Sequence, residues 1–241
     1  MALGSQPRWT VRSADAQVGI DVGLRNYMLR VYNYMASGLA LTGVVALVFA
    51  QYLFANPALA HSPVMFLFML APLGLVMWLS YGINRMQAST AQTVFWVYAG
   101  AMGLSLASIF LVFTHESIAR VFFITAGTFA AMSLYGYTTR RDLSQFGSFL
   151  FMGLIGIIIA SLVNMFLASS ALQFAISVIG VLVFTGLTAY DTQQIKEMYY
   201  AYQNADRDTA TKTAVMGALR LYLDFINLFM MLMQLLGTRR D

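Results

Sequence analysis

Seven apolar stretches recur along the chain, each about as long as a helix needs to cross a bilayer's hydrocarbon core. They constrain the fold more than any other feature. They cover approximately residues 31–54, 64–81, 94–113, 118–137, 146–167, 174–190 and 213–236. Of the 241 residues, 59% are apolar and only 10% are charged, against roughly a quarter charged in an average soluble domain. So little charge cannot solvate a globule of this size, and lipid is the solvent that the pattern fits. Only a helix satisfies all of its backbone polar groups within one span. The sequence therefore predicts an all-α polytopic membrane protein, a bundle of seven transmembrane helices. The joints are short and carry turn residues, as in Asn56-Pro57, His61-Ser62-Pro63 and Thr139-Arg140-Arg141-Asp142, so consecutive helices should be antiparallel neighbours.

Lys and Arg placement sets the orientation. With the N-terminus inside, the inner segments hold Arg8, Arg12, Arg25, Arg30, Arg85, Arg140, Arg141, Lys196, Arg207 and Lys212. The outer segments hold Arg120, Arg239 and Arg240, while Arg220 lies within the last span. The expectation is a cytoplasmic N-terminus and a C-terminus outside. Residues 1–29 read as a polar cytoplasmic tail, 30–237 as the membrane domain and 238–241 as a short tail. The first segment has no apolar core of its own and does not read as a cleaved signal peptide. A net charge of +4 spread over several loops gives no footprint for nucleic acid. The bilayer itself is the expected partner. Small residues at Gly100/Gly103, Gly127/Ala131 and Gly153/Gly156 are expected to serve close helix packing, and the sixteen methionines to fill gaps in it.

The last span breaks the apolar rule. Thr213, Gly217, Arg220, Asp224, Asn227 and Gln234 fall at helical steps on one stripe, interrupted at Met231, while the other faces are Leu, Phe, Met and Ile. A charge facing lipid costs at least ~3 kcal/mol, so this stripe should face protein or water and the span should be central. The sixth span ends with Thr185, Thr188 and Asp191 on one side. Asp191 lies fifteen residues before Asp206 and Asp224 eighteen after it. In antiparallel helices the two carboxylates then sit within ~5 Å of the same depth, at 1.5 Å per residue.

Two carboxylates held close in a dry interior titrate as a unit. With a proton between them they can lock two helices together; without it they repel each other and attract a cation. Calcium takes about six to eight oxygens. Two aspartates, Asn227, backbone carbonyls and water would supply a weak site, which suits an ion that must leave again. A plainer arrangement is also open: Arg220 and Asp224, spaced i, i+4, neutralise each other, and Asp191 is a solvated residue at the inner boundary.

Covalent chemistry finds no support. His115-Glu116-Ser117-Ile118-Ala119 begins like a zinc-protease motif but ends in alanine where the second histidine is needed. Gly103-Leu104-Ser105 faintly resembles the serine motif of rhomboid proteases, yet neither His61 nor His115 is expected within a span to serve as its base. The last span has no lysine for a retinal Schiff base, and no phosphate-binding or dinucleotide fingerprint is present. The chain has no cysteine, which excludes disulfides and thiolate zinc sites. It reads as a non-enzyme without a cofactor.

Three segments carry a family resemblance. Residues 29–43 (LRVYNYMASGLALTG), 188–196 (TAYDTQQIK) and 221–229 (LYLDFINLF) resemble the Bax inhibitor family, also called transmembrane BAX inhibitor motif proteins, in its bacterial branch. The likeness covers nearly the whole chain from about Arg25. It implies a seven-helix bundle with the last helix at the centre, sited in the bacterial inner membrane. It also implies a pH-sensitive calcium leak, with calcium as the transported ion. The family's paired aspartates, held to be the pH sensor, match Asp191 and Asp224. Its latching arginine at the inner end of the second helix has Arg85 as the candidate here, with Arg220, Asn227 and Thr188 as supporting polar groups. The glutamate that some relatives place in the second helix has no counterpart, since residues 71–76 read APLGLV. The tail after Gly237 lacks the lysine-rich extension of animal members. Two other functions stay open by the same resemblance. Some bacterial relatives are linked to a membrane-anchored AAA protease, which makes that protease a partner, and the site would equally serve a proton-coupled calcium exchanger.

Overall fold

The structure, a computed structural model, describes residues 8–60 and 62–240, with side chains from Val22 onward except at Ala60. Of the expected cytoplasmic tail, residues 1–7 lie outside the described residues, as does His61. The helices are α1 (Arg8–Ala55), α2 (Pro57–Ala60), α3 (Pro63–Gly82), α4 (Ala88–Leu106), α5 (Ile109–Val112), α6 (His115–Thr138), α7 (Ser144–Leu167), α8 (Ser170–Tyr202) and α9 (Arg207–Leu236). Seven stretches within them are long and apolar enough to cross a membrane. In α1 the first such stretch covers Val22–Ala55, the part of the helix with described side chains, and it contains two arginines. Arg25 and Arg30 occupy exposed positions, while Leu24, Tyr27, Met28, Val31 and Met35 are buried at helical spacing. The charges therefore ride on the outside of a helix whose other face is core.

α9 is the axis of the bundle. Buried positions make up 67% of its span, against 11% for Ser144–Leu167 and 17% for Pro63–Gly82. It packs against α8, α1, α6 and α4, whereas α3 rests on α4 and α7 rests on α8. A hydrogen-bond relay crosses the centre. The Tyr222 hydroxyl on α9 meets Thr42 Oγ1 on α1 at 2.7 Å, and Thr42 donates to the Ala99 carbonyl on α4 at 2.8 Å. Close approach is local: a Cβ on Gly103 would lie 2.7 Å from the Thr42 carbonyl oxygen, and one on Gly153 would lie 2.8 Å from Val183. Gly100, Gly127 and Gly156 face open space, so only one glycine of each expected packing pair that holds two does that work.

The joints are capped by side chains. Ala168 ends α7 in the left-handed region (φ 50). Asn164 holds this turn by accepting from the Ser169 N–H at 3.0 Å and donating to Gln173 at 3.1 Å. Asp206 caps α9, accepting from the N–H groups of Asp208 and Thr209. Two residues later Asp208 accepts from the Ala88 N–H, and Lys212 donates to the Met86 carbonyl, which pins the α3–α4 turn to the start of α9. At the opposite end, residues 238–240 run antiparallel to the α5–α6 joint. Thr114 N–H donates to Thr238 O, Arg240 N–H to Val112 O, and Thr238 N–H to Ser117 Oγ.

Candidate functional site

The α8–α9 hairpin turns tightly at Asp206, and its two helices pack along their length. Counting residues outward from that turn matches the depth of Asp191 and Asp224, and the structure also brings both side chains to the wall of one cavity. The two carboxyl groups are close enough to interact electrostatically. Asp224 is 5% exposed, and its Oδ2 is buried with no hydrogen-bond partner among the described residues. The Asp191 side chain is 17% exposed. Buried polar atoms are almost always paired, so the open valence of Asp224 Oδ2 suits a proton, a water or a cation.

Both acids line a cavity of about 560 Å³ between α7, α8 and α9, together with Arg220, Asn227, Ser148 and Tyr190. Arg220 forms its ion pair across the helices and not with its i, i+4 neighbour on α9, with Nη1 3.9 Å from Asp191 Oδ1. The contact is long and single, and the Arg220 side chain is 46% exposed. An exposed pair of this kind screens charge but does not lock a geometry.

The residues on either side of Asp191 are all anchored. The Tyr190 ring fills the space that a Cβ on Gly147 of α7 would take, with ring atoms 2.7–2.8 Å from that position. Thr192 Oγ1 lies 3.0 Å from Ser133 Oγ on α6, and Ser133 lies 2.6 Å from the Tyr32 hydroxyl on α1. Gln193 donates to the Arg141 carbonyl and accepts from the Leu143 N–H, so the α6–α7 joint is tied to α8. With its neighbours held, the Asp191 carboxyl projects from a fixed backbone. None of these anchors follows from hydrophobic periodicity, although the run of polar residues around Asp191 in the sixth span is a visible sign of them.

The remaining expected site residues divide. Asn227 joins the acids in the cavity. Thr188 is fully buried and donates to the Phe184 carbonyl at 2.8 Å, so its hydroxyl serves its own helix. Arg85 lies in the α3–α4 turn beside Trp78 and Tyr81. It is outside the cavity of the acids and makes no ion pair among the described residues. His115 is the first residue of α6, and Arg240 donates to its Nδ1 at 2.7 Å. Among the described residues no group of three or more His, Cys, Asp or Glu is arranged to hold a metal.

Comparison with known proteins agrees over the length of the chain. The family model described as inhibitor of apoptosis-promoting Bax1 matches residues 24–241. A protein of Rickettsia prowazekii is 51% identical over 96% of this chain and 98% of its own. The inner membrane protein YbhL of Escherichia coli is 48% identical over 94% of this chain and 97% of its own. A membrane protein of Streptococcus pyogenes is 34% identical over 90% of this chain and 94% of its own. With seven apolar helices, one of them central, and a family match from residue 24 to its last residue, the chain is a multi-pass membrane protein and belongs to the Bax inhibitor family.

Proposed function

We propose that the protein conducts calcium slowly across the bacterial inner membrane and that the Asp191–Asp224 pair sets its pH dependence. It acts as a transporter of ions and not as an enzyme. The observation that carries this reading is the meeting of two carboxyl groups from neighbouring helices in one cavity, with a buried oxygen of Asp224 left without a partner. While the pair shares a proton, it ties α8 to α9 and offers little charge to a cation. Once the proton leaves, two close negative charges repel each other and favour a divalent ion. Arg220, at 3.9 Å from Asp191, competes with the ion for that charge. Asn227 and water complete a shell well short of the about six to eight protein oxygens of a storage site. An ion held this loosely can move on.

The N-terminus lies inside in this reading and the C-terminus outside. Arg25, Arg30, Arg85, Arg140, Arg141, Lys196, Arg207 and Lys212 then gather at the inner ends of the helices, in keeping with the bias of inner loops toward Lys and Arg. The name of the E. coli relative supports the inner membrane as the site.

The test is flux in proteoliposomes loaded with a calcium dye and held at several pH values. The parent should leak faster as pH rises and the pair loses its proton, and Asp224→Asn should flatten that dependence. If the variant follows pH as the parent does, the pair is not the sensor.

A further inference from the structure

A second cavity, of about 400 Å³, lies at the flank of the bundle between α1 and α6. α1 is held by α4 and α9, and α6 by α8 and α9. The two come together across the cavity through the Tyr32–Ser133 hydrogen bond of 2.6 Å. The walls are apolar, with Met28 and Leu29 on α1 facing Phe129, Ala130 and Leu134 on α6. From Arg25 to Tyr32 the groove follows α1 for seven residues, about 10 Å of helix. Its flank belongs to membrane-spanning helices, so its surroundings are lipid. A slot of this shape and lining takes a hydrocarbon chain.

One end of the groove is positive. Arg25, exposed on α1, stands at its rim opposite Tyr137. Lys196 donates to the Tyr137 carbonyl at 3.0 Å and lies 5.5 Å from the centre of the Tyr137 ring. Among the side chains described, which begin at Val22, no carboxylate comes within ion-pairing distance of either cation. Two cations above an apolar slot, with the Tyr137 ring beside them, are complementary to an anionic head on an acyl tail. We propose that the groove binds one anionic phospholipid of the surrounding bilayer, with an acyl chain between α1 and α6 and its phosphate on Arg25. The inner wall of that site is the Tyr32–Ser133–Thr192 hydroxyl chain, which ends beside Asp191.

Native mass spectrometry of the full chain, purified in mild detergent and titrated with phosphatidylglycerol or with phosphatidylcholine of the same chains, tests this. The parent should retain one phosphatidylglycerol and prefer it about fivefold, the gain that one basic residue confers near anionic lipid. Arg25→Gln should lower that preference, and Arg25→Gln combined with Lys196→Gln should bind both lipids alike. Ala130→Trp should retain neither, because the indole fills the slot. Ala130 and Leu134 are both exposed on α6, so Leu134→Trp gives the same test should the first variant fold poorly. Equal retention of the two lipids by the parent would overturn the proposal, and so would unchanged retention in a folded tryptophan variant.

Discussion

The contact that sets the position of α8, and with it Asp191, is the backbone of Ala189 against Gly136 on α6. A Cβ added at Gly136 would fall 2.2 Å from the Ala189 carbonyl oxygen and 2.9 Å from both its carbonyl carbon and its Cα. Ordinary contact begins at 3.4 Å, so Gly136→Ala demands that the helices part by about 1 Å. The obstacle is backbone and cannot rotate aside. α8 is also tied in place by the Gln193 bonds to the α6–α7 joint and by Thr192 to Ser133. Overpacking of this kind costs about 1–3 kcal/mol, and alanine recovers up to about 1 kcal/mol of helix propensity. A net loss of about 1–2 kcal/mol lowers the melting temperature of a chain this long by roughly 2–8 °C. Gly156→Ala on α7 is the control, because nothing lies within 4 Å of its added Cβ and only the propensity gain applies. Thermal unfolding of the two variants in one detergent measures both. If Gly136→Ala melts at or above the parent temperature, the close α6–α8 approach is not the constraint described here.

Two further outcomes probe other links. Tyr222→Phe removes the hydroxyl that bonds Thr42 in the core and should lower stability by about 0.6 to 1.7 kcal/mol, the range measured for hydrogen bonds between membrane helices; an unchanged melting temperature would show that the relay contributes nothing. Asp206→Ala removes the cap of α9. The Thr209 hydroxyl and N–H hold the Asp206 carboxyl below the ordinary carboxylate range. Its contribution is therefore complete at neutral pH and is lost as pH falls through that lowered value. The parent should melt higher than the variant at pH 7, and the gap should narrow below about pH 4. A gap that widens on acidification contradicts the assignment.

What could be read from the sequence was position along a helix, and what could not was direction around it. Seven apolar runs locate seven crossings, and counting from Asp206 brings Asp191 and Asp224 to one depth because α8 and α9 are continuous helices joined by a short turn. The polar stripe of Arg220, Asp224 and Asn227 marks α9 as central, since three such groups cannot all face lipid. Azimuth depends on the neighbours. Gly103 and Gly153 meet another helix while Gly100 and Gly156, three residues away, do not. Gly136 makes the tightest approach of these glycines, yet it stands between Tyr135 and Tyr137 with no glycine or alanine three or four residues away to flag it. Arg220 shows the same limit in electrostatic form. Spacing offers it Asp224 one turn along its own helix, but the side chain reaches across the cavity to Asp191. That choice bears on mechanism, because an arginine bound within α9 would travel with Asp224. One that bridges α8 and α9 at 3.9 Å instead gains or loses its partner as their separation changes, and so makes the charge beside Asp191 depend on the spacing of the two helices.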